Sequence, residues 1–177
     1  SKGMGQKLQF VTTVLHEPRL VILDEPFSGL DPVNSNLIKD EIYALAQKGT
    51  SIIFSTHRME QVEEICDHII LVNKGQKILD GGVKEVKQQF KENIFKLELN
   101  EDGAQYVHPS FEIVNRDKQE LVVKIHEGYT GNDVLQHFMS QDKQIMAFHE
   151  ILPSLNDIFI HLVEGTPTAR QFENYTA

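Results

Sequence analysis

The run Leu20-Val21-Ile22-Leu23-Asp24-Glu25-Pro26, followed by Ser28-Gly29-Leu30-Asp31, constrains this chain more than any other stretch. A short apolar segment of this kind reads as a strand of a parallel sheet, buried on both faces. It ends in two adjacent carboxylates, so acid groups emerge at its carboxyl edge, where open α/β sheets hold their ligands. An acidic turn after any buried strand would give the same short string. The surroundings of the strand decide between the two.

The bulk properties remove several classes of function. At 177 residues, 40% apolar and 24% charged, the chain suits one ordinary domain or two small ones. No apolar run approaches the roughly 20 residues that span a bilayer. The net charge is −9, with −2 on residues 1–92 (11 Lys/Arg against 13 Asp/Glu) and −7 on residues 93–177 (6 against 13). Neither half offers the basic surface that a phosphate backbone requires, so no nucleic-acid partner is expected. Cys66 has no second cysteine to pair with, which suits a reducing cytoplasm. Met59, Val62 and Ile65 precede it at helical spacing, which marks it as a small core residue. The chain opens on Ser1, inside a motif, so it reads as the later part of a longer protein.

The first half alternates helix and strand signals. A helix over about 4–16 stops before Pro18, and Arg19–Asp24 is the first strand. Asn34 or Ser35 caps a helix that ends at Gly49, and Ser51–Ser55 is a second strand. A helix over 59–66 precedes two strands around Asn73-Lys74-Gly75, a hairpin signal. The pattern predicts a parallel sheet with covering helices and an antiparallel edge. Beyond Gly81-Gly82 a lysine-rich helix forms a connector, and residues 93–164 follow a separate α+β rhythm. The expected division is 1–82, a connector at 83–92, an accessory domain at 93–164 and a flexible tail at 165–177.

In a nucleotide hydrolase, Asp24 would hold the water shell of Mg²⁺, and Glu25 would orient and polarise the attacking water. Three more elements fall in order around them. Ser1-Lys2-Gly3-Met4-Gly5-Gln6-Lys7 opens a helix whose N-terminal N–H groups suit phosphate. Asp31 lies in a tight Ser-Gly-Leu-Asp-Pro turn. The second strand delivers Thr56-His57 at its own carboxyl edge.

With these elements the chain resembles the second half of an ABC-transporter ATPase. Ser1-Lys2-Gly3-Met4 is similar to the family's Leu-Ser-Gly-Gly-Gln signature, with Lys2 in place of the first Gly and Met4 in place of the Gln. Leu20–Asp24 resembles the Walker B strand, Glu25 the catalytic carboxylate, Ser28–Asp31 the D-loop and His57 the switch histidine. Pro153–Val163 resembles the closing segment of the C-terminal domain in drug- and sodium-export ATPases of the ABC-2 type. The resemblance implies part of a P-loop NTPase (RecA-like) α/β sheet followed by a small α+β domain. It further implies a head-to-tail dimer in which Ser1, Gly3 and Met4 close over ATP held by a second ATPase subunit. Asp24 would support Mg²⁺, Glu25 and His57 would be catalytic, and Asp31 would link the two sites. Closure would drive a separate transmembrane permease, with the ATPase on the inner face of the cell membrane.

One motif is missing from the sequence. No Gly-x-x-x-x-Gly-Lys-Ser/Thr occurs in the 177 residues, so no loop is present to cradle phosphates. The resemblance puts that loop before Ser1, and these residues alone are expected not to bind ATP productively. Two other classes are weighed against the exporter ATPase: a non-transport ABC ATPase, and a non-catalytic regulatory or dimerisation module. The remaining histidines, which have no metal-ligand spacing, read as structural or surface residues.

Overall fold

The computed structural model describes residues 2–100 and 108–164, so Ser1 and the expected tail at 165–177 lie outside the described residues. The chain divides into two compact units, Ser1–Asp67 and His68–Ala177. The hairpin that was expected to close the first domain at residue 82 therefore groups with the second unit.

In the first unit, α1 (Lys2–Val14), β1 (Leu20–Asp24), α2 (Pro32–Gln47), β2 (Ser51–Ser55) and α3 (Met59–Ile65) follow the expected alternation. Strands β1 and β2 pair in parallel, with Leu20 opposite Ser51 and Asp24 opposite Ser55. Both strands thus end level. Leu23, Ile52 and Phe54 pack toward Phe10, Phe27, Ile38 and Ile42 in the core, and Val21, on the same side of β1, is buried. Phe27 and Phe54 meet edge to face at 5.9 Å, a favoured aromatic geometry.

Strand β1 is not buried on both faces, contrary to the expectation from its apolar run. Ile22 is 68% exposed and Ile53 57% exposed, because among the described residues only one face of the pair is covered. A parallel pair needs both faces covered to bury a continuous apolar run.

The cap of α2 is also not where the sequence reading put it. Asp31, not Asn34 or Ser35, is the N-cap, and its Oδ1 accepts from the Asn34 backbone N at 3.0 Å. Pro32 explains this. It occupies the first helical position, where no amide donor is needed, and leaves the capping place to Asp31. Gly49 ends the helix with a φ of 91°, in the left-handed region that favours glycine.

Cys66 follows α3 and is half-buried. Burial pushes its thiol up to about 11, with Asp67 adding to the shift, so little thiolate exists near neutral pH. The folded chain is therefore expected to resist iodoacetamide at pH 8 and to react within minutes once unfolded in urea, as mass spectrometry would read. Rapid alkylation of the folded chain would remove Cys66 from the core.

The second unit opens with β3 (His68–Asn73) and β4 (Gln76–Gly82). Lys74 and Gly75, with φ of 48° and 77°, form the two-residue turn between them; positive φ at both central residues matches the right-handed strand twist. The pair is a separate two-stranded sheet rather than an edge of the β1–β2 sheet. Helix α4 (Val83–Gln89) buries Val83 and Val86. The segment read as a connector is thus helical, with its apolar side packed.

Strands β5 (Ile94–Leu99), β6 (Phe111–Asp117), β7 (Glu120–Ile125) and β8 (Ile145–Ile151) form an antiparallel sheet in the order β6-β7-β5-β8. Helix α5 (Gly131–Met139) buries Val134 and Phe138 in a core with Leu97, Leu99, Phe111, Leu121, Val123 and Ile125. Helix α6 (Leu155–Glu164) is entered through a reciprocal cap. Ser154 N donates to Asp157 Oδ2 at 3.1 Å, and Asp157 N donates to Ser154 Oγ at 3.1 Å. This is the α+β pattern read from residues 93–164.

Candidate functional site

Because β1 and β2 are parallel and in register, the residues that follow them emerge at one edge. The Glu25 amide donates to Ser55 O at 3.0 Å, which carries the pairing one step beyond the strands. Asp24 and the Ser55 hydroxyl are hydrogen-bonded side by side on the exposed face.

Glu25 adopts a φ of 46°, a left-handed conformation that a non-glycine residue seldom takes. This re-aims its side chain across the edge. Glu25 Oε1 accepts from the His57 backbone N at 3.0 Å and lies 2.7 Å from His57 Nδ1. Glu25 Oε2 accepts from Thr56 Oγ at 3.2 Å. The His57 side-chain bond is the largest of the influences that hold the Glu25 carboxyl below its ordinary range, so it is ionised at neutral pH. Thr56 Oγ is itself fixed, since it accepts from Arg58 N at 3.1 Å. The His57 side chain is 79% exposed and so accessible from solvent.

The turn from Glu25 to Asp31 is tight. Ser28 N donates to Glu25 O at 3.0 Å, Gly29 takes a φ of 72°, and Pro26 and Phe27 are buried. A Cβ at Gly3 would lie 3.4 Å from the Leu30 side chain, so α1 meets this turn closely at its start. Met4 is 67% exposed.

The structure thus brings Asp24, Glu25 and His57 together at one sheet edge, with Gly3 against the neighbouring turn. Asp31 stands at the far end of that turn as the cap of α2, and Ser1 lies outside the described residues. Sequence reasoning missed Gln6 and Lys7. Gln6 Nε2 donates to the carbonyls of Glu25 and Pro26 at 3.1 and 3.3 Å, and Lys7 Nζ donates to Asn34 Oδ1 at 2.8 Å. Their one signal was position: three and four residues after Gly3, they share its helix face. Buried Gln61, 3.4 Å from Thr56 Oγ, was missed as well.

Among the described residues no group of three or more His, Cys, Asp or Glu is placed to hold a metal. Within the same residues, no helix is long and apolar enough to cross a membrane.

Paired parallel strands with helices beside them, delivering carboxylates and a histidine to one carboxyl edge, define an α/β protein. Residues 1–62 match the family described as "AAA domain, putative AbiEii toxin, Type IV TA system", and residues 81–163 match "ATP-binding protein DrrA1-3-like, C-terminal domain". An uncharacterised ABC transporter ATP-binding protein of Bacillus subtilis, YhaQ, is 40% identical over 166 residues, covering 92% of this chain and 55% of its own length. A fluoroquinolones export ATP-binding protein of Mycobacterium tuberculosis is 30% identical over 164 residues, covering 92% and 49%. A solved ATP-binding subunit of an ABC transporter aligns with a TM-score of 0.48 at 37% identity, over 51% of this chain and 38% of that one. The chain belongs to the ABC transporter ATP-binding proteins, and its residues 81–163 form a C-terminal domain of the DrrA1-3-like kind. It spans about half the length of the curated relatives named here.

Proposed function

We propose that this chain is the catalytic-edge portion of an ATPase subunit that couples ATP hydrolysis to export through a separate transmembrane permease. The observation that carries the proposal is the Glu25–His57 pair at the carboxyl edge of β1 and β2, with Asp24 beside it. The export ATPase among the relatives supports the transport direction.

The residues present fit a hydrated Mg²⁺: the exposed Asp24 carboxylate and Ser55 hydroxyl are hard oxygen donors, and Mg²⁺ needs only one or two carboxylates beside its waters. When bound, Mg-ATP would supply the γ-phosphoryl electrophile and the cation that neutralises its charge. Asp24 would hold the water shell of the cation. Ionised Glu25 would orient and polarise a water at its carboxylate. With Nδ1 donating to Glu25 Oε1, His57 keeps Nε2 as the ring nitrogen that, in the imidazolium form, would donate to a phosphate oxygen. Asp31, by capping α2, sets the course of the turn that would reach a second ATPase subunit. Gly3 and Met4, with Ser1, would close over that subunit's nucleotide. Location on the inner face of the membrane would follow from the permease contact.

Two measurements test these assignments. In the full-length protein, Asp24→Asn is expected to raise the Mg²⁺ concentration needed for half-maximal ATP turnover and to lower the maximal rate by about 10²-fold. An unchanged Mg²⁺ dependence would take Asp24 out of its role. Isothermal titration of the 177-residue chain with Mg-ATP is expected to show no heat of specific binding, because these residues hold no phosphate-cradling loop. Micromolar affinity would contradict that.

A further inference from the structure

Gln6 stands 19 residues from Glu25 in sequence, yet its side-chain amide spends both donors on the turn that carries the carboxylate. One goes to Glu25 O at 3.1 Å and the other to Pro26 O at 3.3 Å. Glu25 O also accepts from Ser28 N at 3.0 Å, so both acceptor sites of that carbonyl are filled. The peptide that follows a left-handed Glu25 is thereby pinned on two sides. The next residue of α1 makes a second tie. Lys7 Nζ donates to Asn34 Oδ1 at 2.8 Å, and Asn34 N donates to Asp31 Oδ1 at 3.0 Å. One turn of α1 therefore grips both ends of the segment from Glu25 to Asp31.

We propose that Gln6 is a positioning residue that couples α1 to the catalytic carboxylate: by holding the Glu25 and Pro26 carbonyls it keeps Glu25 in the backbone conformation that aims its side chain at the sheet edge. The proposal rests on the assignment of Glu25 as the group that orients water. Since α1 begins with the Gly3 segment assigned to a neighbouring subunit's nucleotide, displacement of that helix is transmitted to Glu25 through two hydrogen bonds. Gln6 touches neither nucleotide nor water in this scheme. It acts through Glu25, by the geometric precision that phosphoryl transfer demands.

The test is steady-state Mg-ATP hydrolysis by the full-length protein. Gln6→Leu keeps the side-chain bulk and removes both donors. Its kcat is expected to fall about 10- to 100-fold, with KM for ATP within about threefold of wild type. Gln6→Lys, whose ammonium can donate to the same two carbonyls, is expected to recover kcat to within about threefold of wild type. Gln6→Glu, which turns an acceptor on two carbonyls, is expected to be as slow as Gln6→Leu. Should Gln6→Leu fail to fold, the contrast between the Lys and Glu variants carries the comparison. Wild-type kcat in Gln6→Leu, or equal kcat in the Lys and Glu variants, overturns the coupling. Glu25→Gln measured alongside separates the two levels. If Glu25→Gln turns over at the wild-type rate, the assignment of Glu25 fails and the coupling with it; if it is inactive while Gln6→Leu is unaffected, the coupling alone fails.

Discussion

Full-length protein carrying Glu25→Gln is expected to hydrolyse Mg-ATP about 10²–10⁴-fold more slowly than wild type, the range by which a positioned base accelerates a reaction. The substitution is nearly isosteric. Its amide oxygen can still accept from the His57 backbone N, which now lies 3.0 Å from Glu25 Oε1, so the turn keeps its shape. What is lost is the negative charge that would polarise a water. ATP affinity is expected to stay within about threefold, because Glu25 acts on the water rather than on the bound nucleotide. The unfolding midpoint in urea is expected to move little, since the Glu25 side chain is one-third exposed and its interaction with His57 is screened by solvent. Sustained turnover at the wild-type rate would remove Glu25 from the chemistry.

The second large effect is on stability. Phe138→Ala is expected to destabilise the chain by about 3–5 kcal/mol, the cost of deleting a buried aromatic side chain and leaving a cavity. Phe138 is fully buried, stacks on Phe111 at 5.6 Å and belongs to the core that α5 makes with the four-stranded sheet. A loss of this size is a large share of the roughly 5–15 kcal/mol that keeps a domain folded. Met139, its neighbour on α5, is 65% exposed, and Met139→Ala is expected to change stability by less than about 0.5 kcal/mol. Urea denaturation of the two variants decides the matter: similar midpoints would show that α5 does not supply the core.

Much of the fold was legible because the local signals are strong and agree with the tertiary arrangement. Gly49 ends α2 and Lys74-Gly75 turns the β3–β4 hairpin, each through a backbone requirement that few residue types meet. The site edge was legible for a related reason. Parallel strands that pair in register bring their carboxyl ends together, so Asp24-Glu25 and Thr56-His57 had to meet if both segments were neighbouring strands. Asp31 reads in the sequence as a turn residue and, through the resemblance, as a link between two sites, but not as the helix cap, since Asn34 and Ser35 are equally good capping residues and Pro32 at the first helical position is what leaves the cap to Asp31. One-sided burial of β1 and β2 could not be read from residues that are apolar on both faces. Gln6 and Lys7 were hidden because polar residues on a helix look alike whether they face water or a carbonyl 19 residues away. His108 and His137 read in the sequence as structural or surface residues, and nothing in it shows that their rings lie 4.2 Å apart. Burial and the neighbouring His108 hold the His137 imidazole below its ordinary range. Contacts of that separation leave no periodic trace in a single sequence.

The edge formed by Asp24, Glu25 and His57 is tested most directly by the nucleotide that the full-length Glu25→Gln protein retains. The measurement is size-exclusion chromatography after incubation with Mg-ATP, followed by separation of the bound nucleotide from the denatured peak. Capture of a dimer carrying unhydrolysed ATP, under conditions where wild type carries ADP or none, is the predicted result. A Glu25→Gln dimer that carries ADP at the wild-type proportion would contradict the catalytic assignment of this edge.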